Sequence, residues 1–487
     1  MKKIKVNKIR FWLNEKLIVT ECLPSETALE LVHRMGMQSV KEVCSEGDCG
    51  ACTIAVGSLD ESGFHYRSVT ACIYPATKLH GTHVMTTEGL GTPDDMHIIQ
   101  STLYENHASQ CGFCTPGIVM SVFALFVENL EPTLDEFKTA LEGNLCRCTG
   151  YRHIVIAGEE LIETMHEGIF SADVILPGYA GAIQEDLKNN KTVIEQVERE
   201  YYDHLPVDDY YKPTTLSDAL DYLRSKPNII CGATDLFVEA NIRREFKHRY
   251  LDISGIPEFN GIEQINSEIR LGATVTLDEA TTNQMIIDNF PALCETVAIM
   301  SSQQIRNVAT FAGNICNASP IADGTSALMG LNATVELMNS EGCTRIVKLK
   351  DFYLGYKKME MREDELLSAI YLPIKEYGYS GFIKSSKRTN VDISSVNSCL
   401  SIDVKHDIIE EITISYGGVK ECTALALETM EFLKGKRVTT ELISEAMEIV
   451  SKEFTPISDV RGSDEYRTLL IKNHLKKHFL RMEGEEL

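Results

Sequence analysis

The chain has 487 residues, 44% of them hydrophobic and 24% charged, with a formal net charge of −24. That length corresponds to about three domains, with enough apolar material for their cores. The acidic balance argues against a nucleic-acid or anionic-membrane surface, since both need clustered Lys and Arg.

The N-terminus, MKKIKVNKIRFWLNEKLIVTE, opens basic, but charges interrupt every apolar run and no small-residue cleavage site follows. No run of about 18 apolar residues occurs, so no membrane span is expected and the chain reads as cytoplasmic. KIRFWLNEKLIVTE is expected to form a β-hairpin. SETALELVHRMG follows as a helix with Ser25 as N-cap and Gly36 as C-cap. CTIAVGSLD and FHYRSVTACIY then read as two strands around a turn, completing a small mixed unit over residues 1–81.

From 82 to 164 the pattern is helical. TPGIVMSVFALFVENL places Pro116 in a first helical turn. PTLDEFKTALEGN carries a capping box, Thr133 with Glu136, and Gly143 at the stop. Residues 165–206 are polar, charged and weakly periodic, as in an interdomain linker. A second α/β region, 207–377, begins near YYKPTTLSDALDYL, and 378–487 mixes strands with amphipathic helices.

Fifteen cysteines in a reducing compartment are not expected to form disulfides, and nine of them fall in the first 148 residues. Cys22, Cys231, Cys294, Cys316, Cys343, Cys399 and Cys422 are scattered singly and read as small buried hydrophobes. Cys44, Cys49 and Cys52 form C-x4-C-x2-C, with Cys72 further on, which is the plant-type [2Fe–2S] spacing. Gly47 and Gly50 permit the left-handed turns and close approach that wrapping a cluster requires. Zinc is the alternative; the four-residue gap and the glycines favour iron and sulfur.

Cys111, Cys114, Cys146 and Cys148 make a second set, C-x2-C far from C-x-C. The first pair precedes one helix and the second follows another, so two antiparallel helices would gather all four. Spacing alone leaves zinc and a second cluster equally open; the first set tips the choice to a cluster. An anionic cluster would also face the N-terminal dipole of the helix starting near Pro116.

In the second region, NIICGATDLFVEA reads as a strand, a turn at Gly232 and a helix whose start could approach a phosphate. NVATFAGNICNASPIADGTSAL reads as a loop with Thr310, Asn314, Ser319 and Asp323 as polar handles. Neither matches G-x-G-x-x-G, and no P-loop or H-E-x-x-H occurs, so a Rossmann nucleotide domain is not supported.

CSEGDCGAC…C followed by QCGFCTPG…NLCRCTGYRHI closely resembles the iron–sulfur part of the molybdenum hydroxylases, the xanthine dehydrogenase family. The two later segments, with DFYLGYKK, ELLSAIYLP, YGGV and DVRGSDEYR, resemble that family's FAD-binding and C-terminal domains. The resemblance implies an α+β multidomain fold. Its parts are a β-grasp ferredoxin domain, a four-helix [2Fe–2S] domain, a two-subdomain α/β FAD-binding domain of the vanillyl-alcohol-oxidase/CO-dehydrogenase-flavoprotein type, and an α+β C-terminal domain.

It also implies one cluster on Cys44, Cys49, Cys52 and Cys72 and another on Cys111, Cys114, Cys146 and Cys148, with Gln110 touching a partner's pterin. Ile229, Ile230, Cys231, Gly232, Ala233, Thr234, Asp235 and Leu236 would line the FAD diphosphate and ribityl chain. Ser301, Thr310, Asn314, Cys316 and Asp323 would also contact FAD, and Leu366 and Lys384 would lie near adenine or isoalloxazine. Three residues depart from the family pattern: Ala312 in place of glycine, Met300 in place of an aromatic, and Ala233 in place of a more polar residue.

The implied role is an NAD-dependent electron-transfer subunit with no catalytic residue of its own. Electrons would pass from molybdopterin on a large partner subunit to the Cys111 cluster, the Cys44 cluster, FAD and NAD+. The expected assembly is a heterodimer or a higher hetero-oligomer such as α2β2, binding neither nucleic acid nor membrane. Xanthine is the favoured substrate, with aldehyde, nicotinate, CO or another N-heterocycle as alternatives. A non-enzymatic iron–sulfur redox sensor is the rival from another class.

Overall fold

The computed structural model describes residues 2–60, 63–167, 172–201 and 207–484. Its first strand, β1 (Lys2–Leu13), turns through Asn14 in the left-handed region (φ 52°) into β2 (Lys16–Cys22), the expected antiparallel hairpin. Asparagine tolerates that conformation better than most residues. Helix α1 (Ala28–Arg34) follows, then β3 (Thr53–Leu59), β4 (Phe64–Thr70) and β5 (His83–Met85). The sheet order is β2-β1-β5-β3-β4, with β5 parallel to β1 and antiparallel to β3. Ile9, Phe11 and Leu13 alternate inward from β1 and are buried.

The cap of α1 is Thr27, not Ser25. Thr27 Oγ1 accepts the Glu30 N–H while the Glu30 carboxylate accepts the Thr27 N–H. A capping box needs an acid three residues on, which Thr27 has and Ser25 lacks.

The helical part comprises α2 (Ile98–Glu105), α3 (Thr115–Glu128), α4 (Leu134–Ala140) and α5 (Arg152–His166). Ile118, Val122, Phe123, Phe126, Phe137, Ile154 and Leu161 form its core. Thr133 and Glu136 make the expected capping box, but α4 is capped at Leu141, before Gly143. Gly143 serves close packing instead: a Cβ there would lie 2.3 Å from Gln304 Oε1.

The segment expected to be a linker is built into this unit, apart from the parts of it outside the described residues. It holds helices Ala172–Ile175 and Ala180–Asn189 and strand β6 (Glu195–Tyr201), which pairs antiparallel with Lys2–Lys8 of β1. Ala180, Ile183 and Leu187 are buried on one helix face, and Arg10 and Trp12 both donate to Asp186 Oδ2 at 2.7 Å. The sparse apolar residues at helical spacing were masked by the polar composition around them.

The compact units do not follow chain order. The first contains residues 1–212, 233–252 and 302–308; the second contains 213–232, 253–301 and 309–487. Within the second unit, helix Asp323–Gly330 of the flavin region shares hydrogen bonds with the C-terminal sheet through Ser326 and Ser415, which welds the two regions.

The second unit has a five-stranded antiparallel sheet, with Glu365–Pro373 at its centre. It also has a four-stranded sheet from Tyr379–Ser385, Val396–Lys405, Ile408–Gly417 and Ala424–Leu425. The last helix, Asp464–Met482, docks on that sheet through two buried histidines. His474 contacts Ser385 Oγ (2.8 Å) and Ser398 Oγ (3.0 Å); His478 contacts Ser398 Oγ (2.9 Å) and Tyr379 Oη (3.2 Å).

Burial, reinforced by the nearby Lys477 and Arg481, pushes His474 down to about 3, and burial beside His474 pushes His478 well below its ordinary value. Both imidazoles are neutral in the fold, whereas the unfolded chain protonates them below pH about 6.5. Stability is therefore lost as pH falls from about 6.5 toward the depressed folded values, by up to about 1.4 kcal/mol per pH unit for each histidine. His474→Gln should shallow the acid limb of stability; thermal unfolding at pH 7 and pH 5 measures it, and an unchanged slope would contradict a neutral His474.

Candidate functional site

The first thiol set lies on the loop between α1 and β3 and on the short turn after β4. Ser45, Gly47 and Gly50 all adopt positive φ (57°, 84° and 64°), curling the loop so that its amides face inward. The Glu46 and Asp48 N–H groups point at the Cys44 sulfur, and the Ala51 N–H at that of Cys49. The thiols form a chain of contacts: Cys44 bonds to Cys49 and Cys72, and Cys72 bonds to Cys52. Hydrogen bonds from Cys49 and Cys72 hold Cys44 far below the ordinary thiol range, while the bond to Cys44 drives its neighbours Cys49 and Cys72 upward. Side chains are excluded at the turns, since a Cβ on Gly47 would lie 2.6 Å from Ile73 Cδ1 and one on Gly50 2.4 Å from the Gly143 carbonyl.

One contributor gives no sequence signal. Asn241 Nδ2 donates to the Ser45 carbonyl (2.9 Å) and the Cys72 carbonyl (2.8 Å), tying the two halves of this set together. It lies about 170 residues from Cys72 in an unremarked helical turn, so only the fold brings it there.

The second set sits at one end of the helical bundle, as the helix order implied. Cys114 is the N-cap of α3, with Pro116 in the first turn, and Cys146 and Cys148 lie on the loop between α4 and α5. Cys148 Sγ is 3.5 Å from Cys111 Sγ, and Cys114 bonds to Cys146. Thr149 Oγ1 lies 3.0 Å from Cys146 Sγ, and the Cys146 N–H donates to Tyr151 Oη at 2.9 Å. The Phe113 N–H, then Cys148, lower Cys111, whereas burial and the adjacent Cys146 push Cys114 up to about 12. Gln110, Cys111 and Cys148 are exposed, and Cys146 is buried.

Each set thus supplies four soft sulfur donors, the chemistry that suits zinc or iron–sulfur. The inward amides of Glu46, Asp48 and Ala51 are what tune a cluster's sulfurs, and the spacing of the first set is that of a two-iron cluster. The donor sets fit clusters, with metal loading releasing the thiol protons.

In the flavin region, strand Asn228–Ile230 runs into a turn whose left-handed residue is Ala233 (φ 70°), not Gly232. Residues 229–232 belong to the second unit, while Ala233, Thr234, Asp235 and Leu236 belong to the first and open a short helix, Thr234–Val238. Ser301 (φ 55°) and Ala318 (φ 50°) are also left-handed.

The polar candidates are bonded internally. Thr310 Oγ1 caps helix Phe311–Asn317 by accepting the Gly313 N–H (3.0 Å). Asn314 Oδ1 accepts from the Thr325 N–H (3.0 Å) and hydroxyl (3.1 Å). Asp323 accepts from Lys384 Nζ (2.9 Å), Ser394 Oγ and Asn397 Nδ2 (both 2.6 Å). Cys316 is pushed up to about 12 by burial, and Leu366 is fully buried in its strand. Ala312 sits in ordinary helix, so the missing glycine causes no backbone strain. These hydrogen bonds fix the conformation of the loops.

The Lys384 and Asp323 side chains are 2% and 9% exposed, so each charge depends on the other. Asp323→Asn should cost about 3–5 kcal/mol by stranding the ammonium. The double change Asp323→Asn with Lys384→Met should recover much of that, as thermal unfolding of the three variants would register.

Three family descriptions match the chain: [2Fe-2S] binding domain over residues 86–159, FAD binding domain in molybdopterin dehydrogenase over 203–375, and CO dehydrogenase flavoprotein C-terminal domain over 381–482. Xanthine dehydrogenase 1 of Arabidopsis thaliana is 29% identical across 95% of this chain and 39% of its own length. The xanthine dehydrogenase/oxidase of Gallus gallus is 28% identical across 96% of this chain and 40% of its own. The chain therefore spans about two fifths of the length of the curated relatives it matches. A chain of the CO dehydrogenase from Oligotropha carboxidovorans shares the fold over 57% of this chain and 98% of its own (TM-score 0.54, 24% identity). No described helix is long and apolar enough to cross a membrane.

Proposed function

We propose, for a chain that belongs to the iron–sulfur and flavin part of the molybdenum hydroxylase family, that it relays electrons from molybdopterin on a separate large subunit to NAD+, with xanthine as the substrate oxidised there. When bound, the two [2Fe–2S] clusters carry electrons singly and FAD gathers them in pairs for a nicotinamide. The observation that carries this reading is the asymmetry of the second thiol set. Cys111 and Cys148 are open to a partner, with Gln110 beside them, while Cys146 is buried and its neighbour Leu145 donates its N–H to the Cys49 carbonyl (3.0 Å). One side of the set is thus available for docking and the other leads to the first set.

Phe113, Leu145 and Tyr151, on the two loops that carry the second set, are exposed, and Lys41 lies 6.0 Å from the Phe113 ring. Such an apolar and aromatic surface suits a protein partner. The substrate rests on the relatives named xanthine dehydrogenase, and the acceptor on the resemblance of the sequence motifs to that family. Fifteen free thiols suit the reducing cytoplasm.

Iron, labile sulfide and flavin analysis should give about four irons and one FAD per chain. Stoichiometric zinc without sulfide would sink the cluster reading. Cys148→Ser should remove one cluster's EPR signal and stop flavin reduction by xanthine in the complex, while NADH still reduces the flavin. Persistence of both half-reactions would overturn the proposed order, and purification without any molybdenum-containing partner would favour a redox sensor.

A further inference from the structure

Residues 302–308 lie in the sequence between the flavin candidates Ser301 and Thr310, yet they belong to the compact unit that carries both thiol sets. The segment is polar, SQQIRNV, but Ser302, Gln304, Arg306 and Asn307 are all buried. Buried polar residues need partners, and Gln304, Arg306 and Asn307 each find one in an iron–sulfur domain.

Asn307 Nδ2 donates to the Ser68 carbonyl on β4 (2.8 Å), and the Ile305 side chain lies against Gly47 in the first thiol loop. Arg306 Nη2 bonds to Glu142 Oε2 (2.9 Å) at the end of α4. Gln304 Nε2 reaches three acceptors in the helical domain: Ser121 Oγ (2.9 Å), Asn144 Oδ1 (3.0 Å) and the Ala140 carbonyl (3.1 Å). The segment thus touches both domains.

Gln304 acts on the contact between the two thiol loops through Asn144. Ser121 Oγ donates to the same Asn144 Oδ1 (2.8 Å), so two donors fix which end of that amide faces inward. The opposite end, Asn144 Nδ2, then donates to the Gly50 carbonyl (3.1 Å), beside Cys49. Next along the chain, the Leu145 N–H donates to the Cys49 carbonyl itself. The backbones meet here without side chains: a Cβ on Gly117 would lie 2.2 Å from the Gly50 carbonyl oxygen. Without the Gln304 donor, the Asn144 amide loses one of the two bonds that orient it toward Gly50.

Resting on the reading that both thiol sets hold clusters, we infer that Gln304 is a positioning residue that sets the register between the Cys49 loop and the Cys146 loop. Through that register it sets the electronic coupling of the two clusters. A polar residue of the flavin region therefore governs transfer between iron–sulfur domains without contacting either set of thiols.

The test is EPR of the fully reduced holoprotein, in which two neighbouring paramagnetic clusters split each other's signals. Gln304→Leu should retain full iron and both cluster signals but lose or narrow the splitting. Gly158→Ala is the control, because it crowds the Phe137 ring in the same helical domain without touching the clasp, and it should leave the splitting unchanged. Should Gln304→Leu fail to fold, Ser121→Ala, which removes the other donor to Asn144, should narrow the splitting and decides the matter in its place. Unchanged splitting with full iron, or equal narrowing in Gly158→Ala, would overturn the proposal. Absence of cluster signals in the unsubstituted protein would instead overturn the cluster reading on which it rests.

Discussion

Gathering four sulfurs around one cluster is the constraint on which the first unit depends. Thiolates repel one another and are costly to bury, so each set needs donors and partial positive charge from its surroundings. The Cys44 loop meets this need by turning through three left-handed residues, which aims the Glu46, Asp48 and Ala51 amides at sulfur. The second set meets it with the N-terminus of α3, whose cap is Cys114 itself, and with the Thr149 hydroxyl. Neither loop could hold such a shape alone. The helical core around Phe123, Phe126 and Phe137 fixes the helix ends, and Asn241 and Asn144 tie down the backbone between ligands.

Close approach of the two loops follows from the same constraint. Gly50 and Gly117 place backbone against backbone, and any side chain at either would force the loops apart. Such a contact has little apolar area to stabilise it, so its order comes from directed hydrogen bonds. That explains a buried amide cluster where an apolar core would otherwise be expected: Gln304, Asn144 and Ser121 supply direction rather than area.

What could be read from the sequence was local chemistry at fixed spacing. Most of the eight cysteines, Gly47, Gly50, the Thr133–Glu136 box and Pro116 announce themselves in short motifs. The misreadings were also local, and each has a physical cause. Ser25 is a good cap residue, but the acid that completes a box stands opposite Thr27. The linker reading followed average polarity and missed Ala180, Ile183 and Leu187, which need only one helix face to bury. Asn241 and Gln304 had no legible signal, because a buried amide is ordinary in sequence until the fold supplies the carbonyls it must satisfy.

The flavin segments invert the logic of the cluster loops. A cluster takes its ligands directly from side chains, so the cysteines declare the site. Here Thr310, Asn314 and Asp323 spend their oxygens on Gly313, Thr325 and Lys384, holding two helix starts and the strand around Lys384 in place. A ligand bound to the second unit as proposed would meet backbone held by those bonds, with left-handed turns at Ser301 and Ala318. Backbone recognition tolerates changes of side chain that keep the turn, and Ala312 in an unstrained helix illustrates this. The site is therefore defined by conformation more than by residue identity, which is why its motif is diffuse where the cysteine motifs are sharp.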